Sequence, residues 1–188
     1  MAMYRDNTLI PTEAVRLAAL GSLMEGEKPY ADLASEVRNF VGRIAGPSLD
    51  LLGNSFELLV YEGLVEAEGD ADADTGAHED ALLRITDAGR EAFVVLMTSN
   101  VRAPINDVSK LVIALKMRFF GLLPAVAQAE QASQLVEMCE TELARLEDLR
   151  AQYQTGRLYD WLTLEIEQLT QRLNWFRSIE AGGPIAAD

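Results

Sequence analysis

Residues 63–89 read GLVEAEGDADADTGAHEDALLRITDAG, and this stretch decides the fold. Leu64-Val65-Glu66-Ala67-Glu68 and Ala81-Leu82-Leu83-Arg84-Ile85-Thr86 are two short strand-like runs. Between them lies Gly69–Asp80, rich in Asp and Gly, which reads as a long loop. Thr86 then stands where a helix N-cap belongs, with Ala88, Ala92, Phe93 and Leu96 following at helical spacing. A hairpin running straight into a helix is therefore the expected centre of the first part of the chain.

Upstream, the period is that of helices. Pro11-Thr12-Glu13 opens one, with Val15, Ala18, Ala19, Leu20 and Leu23 as its apolar stripe and Gly26 as its stop. A second runs from Tyr30 to Val41 with Leu33, Val37, Phe40 and Val41 on one face. A third opens at Pro47-Ser48, carries Leu49, Leu52, Phe56, Leu59 and Val60, and closes at Gly63. Three compact helices, a hairpin and a further helix describe a winged helix-turn-helix.

Pro104 suggests a boundary, giving a winged-helix domain over 1–100 and a helical domain over 101–188. Beyond it one helix covers about 105–123. A second covers about 125–153, with Leu135, Cys139, Leu143, Leu146 and Leu149 at alternating three- and four-residue steps. After a break at Thr155-Gly156, a last helix covers about 158–179, with Leu162, Ile166, Leu169, Leu173 and Phe176 at similar spacing. Such stripes pack helix on helix, either within one chain or between two copies, and the spacing alone does not distinguish these. The fold class expected is mainly α with a small β-hairpin.

Composition narrows the function classes. The 188 residues carry 16 Lys and Arg against 30 Asp and Glu, a net charge of -14. The first hundred residues hold seven Lys or Arg and eighteen Asp or Glu, so most of the acidity lies there. A strongly acidic surface favours solubility and repels nucleic acid and anionic membrane. One cysteine, Cys139, excludes an intramolecular disulfide and fits a reducing cytoplasm. No apolar run approaches a membrane span, and MAMYRDNTLI is too polar for a signal peptide.

Several motifs resemble those of PadR-like transcriptional regulators. Pro47-Ser48, Leu52, Phe56, Leu59 and Gly63-Leu64-Val65 resemble that family's third helix and first wing strand. Ile85-Thr86-Asp87-Ala88-Gly89-Arg90 resembles its second wing strand and following helix, and Lys28-Pro29-Tyr30 its turn before the second helix. Lys116, Phe119-Phe120-Gly121-Leu122, Trp161-Leu162 and Trp175-Phe176 resemble the long C-terminal domain of one branch. The resemblance implies a homodimer whose C-terminal helices interlock, transcriptional regulation that is usually repression, and in some members a small-molecule effector held near the dimer axis. Leu135, Leu143, Leu146, Leu162, Leu169, Leu173 and Phe176 are the candidate dimerisation residues. Trp161 and Trp175 are either packing residues or walls of an aromatic ligand pocket.

The sequence departs from the family where DNA would be read. Gly53 stands in place of a customary Tyr, and Glu57 and Leu58 in place of basic residues; no Lys or Arg occurs from Pro47 to Gly63. Two readings follow. A local cationic patch could survive, with Lys28, Arg38, Arg43 and Arg84 on phosphates and Tyr30, Ser48 and Asn54 hydrogen-bonding phosphate or base edges. Alternatively the domain has lost DNA and serves as an adaptor or antagonist that binds a protein partner or a small ligand.

Other chemistry is poorly supported. Asp70, Asp72 and Asp74 have the one-three-five spacing of a calcium loop, but Thr75 and Ala81 occupy its Gly and Glu positions. His78 has no second nitrogen ligand or nucleophile near it in sequence. Neither a phosphate-binding glycine loop nor a nucleophile–base pair occurs, so an enzyme is not expected, and no cofactor or metal is.

Overall fold

A computed structural model describes residues 11–45, 55–68, 81–101 and 107–182. These fall into two compact units, one ending at Leu122 and the other beginning at Leu123.

In the first unit, helices α1 (Pro11–Met24), α2 (Tyr30–Ala45), α3 (Ser55–Tyr61), α4 (Asp87–Thr98) and α5 (Asp107–Arg118) accompany three short strands, β1 (Lys28–Pro29), β2 (Val65–Glu68) and β3 (Leu82–Ile85). Helix α1 is its axis. Ala14, Val15, Leu17, Ala18, Ala19, Leu20 and Leu23 are all buried, because α2, α3, α4, α5 and β3 each pack on it. Gly21 lets the Phe119 ring, just past the end of α5, lie against α1. A Cβ there would lie 2.3 Å from the Phe119 ring, which also meets Phe93 edge-on at 6.0 Å. Burial of these large side chains supplies most of the driving force for the unit.

The sheet is antiparallel in the order β1-β3-β2, with Val65 opposite Ile85 and Glu66 opposite Arg84. Strand β1 is an addition to the expected hairpin. Lys28-Pro29, read as a turn, instead pairs with Leu83 and Leu82, and the backbone N–H of Tyr30 donates to Ala81 O at 2.9 Å. Proline fits there because β1 is an edge and needs no second ladder donor.

Both ends of the hairpin are pinned. Gly63, at φ +72°, closes α3: its N–H donates to Val60 O and that of Leu64 to Leu59 O, a Schellman motif. Thr86 caps α4, accepting from the Gly89 N–H at 3.0 Å while its hydroxyl donates to Gly63 O at 2.8 Å.

After α5 comes a single 3-10 turn, Phe120–Leu122. The second unit is a helical hairpin of α6 (Ala125–Ala151) and α7 (Arg157–Glu180), joined through Gly156 at φ +101°. The stripe Leu162, Ile166, Leu169, Leu173 and Phe176 is buried along its whole length against α6. On α6 the buried line runs Gln131, Ala132, Leu135, Val136, Cys139 and Glu142. Burial pushes the Cys139 thiol up to about 11, so it is a packing residue and a poor nucleophile. Leu143 and Leu146 are half-buried and Leu149 is exposed, because the buried face drifts off the expected stripe toward the end of α6. Among the described residues no helix is long and apolar enough to cross a membrane.

Candidate nucleic-acid interface

Helices α2 and α3 and strands β2 and β3 are the elements that a winged helix presents to a duplex. Ser48 and Asn54 lie outside the described residues, as do Gly53, Asp70, Asp72, Asp74 and His78. The other candidate contacts can be located individually.

Lys28 does not reach outward. Its Nζ donates to Glu36 Oε2 at 2.6 Å and lies 3.9 Å from Glu25. Glu36 is the hub of a half-buried cluster, also accepting from Ser22 Oγ at 3.0 Å and from Arg118 at the end of α5. Burial alone would raise the Glu36 carboxyl, but hydrogen bonds from Lys28, Arg118 and Ser22 outweigh it and hold the group below the usual range. The Arg118 guanidinium lies over both Phe40 and Phe119, at 5.3 and 5.0 Å from the ring centres. The cluster thus ties α5 to α1, α2 and β1.

Arg84 is half-exposed on β3, and its Nε donates to Glu27 at 2.5 Å while Nη2 reaches Glu68 at 3.3 Å. That hydrogen bond lowers the Glu27 carboxyl and raises the Arg84 guanidinium. Arg16 on α1 pairs with Glu62 at the end of α3. Exposed pairs of this kind are screened by water and add little to stability, so phosphate could compete for the cation, but the freed carboxylates would remain beside it. Arg38 and Arg43 are exposed on α2, and neither pairs with a described carboxylate.

Tyr30 begins α2 and packs edge-on against Phe56 of α3 at 5.6 Å, with its hydroxyl 3.5 Å from Glu57. Burial and then the Glu57 charge raise its phenol. It serves the α2–α3 junction rather than standing free for a base.

On α3 itself, Phe56 and Leu59 turn inward. Outward stand Glu57, Leu58 (53% exposed), Val60 and Tyr61 (89% exposed). A helix that reads base edges presents Arg, Lys, Asn or Gln to the groove. The described part of α3 presents a carboxylate, aliphatic side chains and the Tyr61 phenol instead. Glu36, Arg118 and Tyr61 were not singled out from sequence. Only the exclusion of Lys and Arg from the third helix hinted at this surface; the partners of Glu36 lie up to 82 positions away.

In the second unit Leu135, Leu162, Leu169, Leu173 and Phe176 are all used inside the hairpin of one chain. Trp161 and Trp175, fourteen residues apart, are 52% and 50% exposed away from the buried stripe of α7, with Leu164 exposed on the same side.

Three helices, a three-stranded wing and a capped fourth helix make the first unit a winged helix-turn-helix, the architecture of a transcriptional regulator. Over residues 4–180 the chain matches the family described as "Putative AphA-like transcriptional regulator". That span is nearly the whole chain, and the protein belongs to this AphA-like family. No curated protein matches it.

Proposed function

We propose that the chain is a PadR-like transcriptional regulator, acting by repression and as a homodimer, with no enzymatic step. In this reading residues 1–100 form the winged domain and residues 101–188 carry the dimer contact. The observation that supports pairing is the outward face of α7. Its inner stripe already closes the hairpin, yet Trp161, Leu164 and Trp175 stand half-exposed on the other side. Large exposed aromatics aligned on one helix are characteristic of an interface. The faces of Trp161 and Trp175 would then also supply the walls of an effector pocket at the dimer axis.

Light scattering tests the pairing. The expected result is a single species at twice the 20.7 kDa chain mass. The variant Trp161→Ser/Leu164→Ser/Trp175→Ser should become monomeric with its helix content intact, because the buried stripe is untouched. A wild-type chain that is monomeric at micromolar concentration would refute the dimer.

A second reading, the adaptor or antagonist, is favoured by α3, whose outward face carries no cation among the described residues. Titration with the protein's own upstream DNA separates the two. With Arg38 and Arg43, two α2 cations for which no described carboxylate is a partner, a dimer would place four on phosphates, and log K should fall with log salt at a slope of about −4. Binding of that kind, weakened by Arg38→Ala and Arg43→Ala, supports the DNA reading. No binding at low salt supports the adaptor.

A further inference from the structure

We propose that the outward face of α3, centred on Leu58 and Tyr61, docks a basic amphipathic helix of a partner protein. The inference rests on the adaptor reading and names its partner by chemistry. Leu58 and Tyr61 are three residues apart and Glu57 and Tyr61 four, so the three share one face. Phe56 and Leu59 hold that face rigid from below by their burial. A Tyr with almost its whole side chain in water, beside an exposed Leu, has the composition of an interface centre rather than of a solvated surface.

The charge around it selects the partner. Glu57 borders the patch, Glu62 follows it, and Glu66 and Glu68 are exposed on β2, which packs against α3. Arg16 pairs with Glu62, and Arg84 is shared between Glu27 and Glu68, so the four carboxylates on α3, its end and β2 outnumber the cations set against them. A duplex would be repelled, and an apolar acidic partner equally so. A helix with leucine-like side chains on one face and Lys or Arg flanking them would satisfy both the patch and its rim.

The probe is a synthetic peptide of about 18 residues, long enough to hold a helix in water, with leucines on one face and lysines on the other. Two controls are its glutamate-for-lysine counterpart and an oligolysine of equal length. Binding to the full-length protein is followed by fluorescence anisotropy and by backbone amide signals. The expected result is one peptide per protomer, shifts concentrated on α3, and at least tenfold weaker binding to Leu58→Ser/Tyr61→Ser. Both positions are exposed, so that variant should keep its fold and its charge. Oligolysine should bind wild type and variant equally weakly, and the glutamate peptide neither.

Equal affinity of the Leu/Lys peptide for the variant would overturn the proposal, as would shifts confined to α7. So would concentration-dependent α3 shifts without peptide, which would identify a second copy as the occupant. If upstream DNA shifts the same α3 signals, the surface reads DNA; this inference then fails while the regulator reading stands. Peptide docking by a monomeric chain would instead remove the dimer and leave α3 as argued.

Discussion

Gly89→Ala will destabilise the first unit by about 3 kcal/mol, the upper part of the range for overpacking. An ideal Cβ at residue 89 would lie 2.1 Å from Leu64 O and 2.7 Å from Ile85 Cγ1. The first obstacle is backbone and cannot rotate away. That same carbonyl accepts the Thr86 N–H at 3.1 Å, and the Leu64 N–H closes α3 through Leu59 O. Pushing Leu64 aside therefore loosens the end of α3, the start of β2 and the cap of α4 together. Intrinsic helix preference argues the other way, since alanine in a helix is favoured over glycine by about 1 kcal/mol. Gly42→Ala on α2 is the matched control. Nothing lies within 4 Å of its ideal Cβ, so that variant should gain up to about 1 kcal/mol. Both tryptophans lie in the second unit, so amide exchange rather than their fluorescence is the measure of the first. Amide exchange across α3, the sheet and α4 should instead accelerate on the order of 100-fold in Gly89→Ala. A Gly89→Ala protein as stable as wild type would show that the close approach does not exist.

Much of this architecture was legible in the sequence because it is written in local signals. Thr86 followed by a helical stripe is a cap, and Gly63 after Val60 is a stop; both hold in three dimensions. The alternation at Val65–Glu68 and Leu82–Ile85 reads as strands without further help. Strand β1 was not legible, since two residues such as Lys28-Pro29 have no period of their own and become a strand only when β3 arrives from more than fifty positions away. The candidate interface fared similarly. The lack of basic residues on the third helix is a local fact and was visible. That Lys28 is held by Glu36, and Arg84 by Glu27 and Glu68, is a matter of tertiary distance, and composition leaves all of them looking free. On α7 the spacing marked Leu162 through Phe176 as one seam but not which surface would meet it. The structure closes that seam within the chain and leaves Trp161 and Trp175 on the other side, a consequence of helix rotation that no residue count encodes.

Lys116 carries the second large expected effect, and it concerns pH. The side chain is 1% exposed, and its Nζ donates to Met97 O in the last turn of α4. Burial disfavours the ammonium and pushes its pKa down from 10.5 to about 7. In the unfolded chain the amine returns to its ordinary value. Between about pH 7 and pH 10.5 the unfolded state therefore holds a proton that the folded state has released. Unfolding takes up that proton, so stability rises with pH through this window and is lowest below about pH 7, where the charged amine is buried in full. Each pKa unit corresponds to about 1.4 kcal/mol, so the rise from pH 6 to pH 9 should be on the order of a few kcal/mol. Lys116→Met keeps similar volume and removes the charge. It gives up the polar contacts of the amine, among them the bond to Met97 O at about 1 kcal/mol, and escapes a desolvation penalty that is larger at low pH. The variant should thus be more stable than wild type near pH 6, should lose that advantage by pH 9, and should show a nearly flat profile between. The comparison belongs below pH 9 and on first-unit amide exchange. Cys139, raised to about 11 in the second unit, releases its proton more readily when unfolded and lowers stability as pH climbs past 9. An equally steep rise in Lys116→Met would assign the effect to another group and leave Lys116 charged inside the fold.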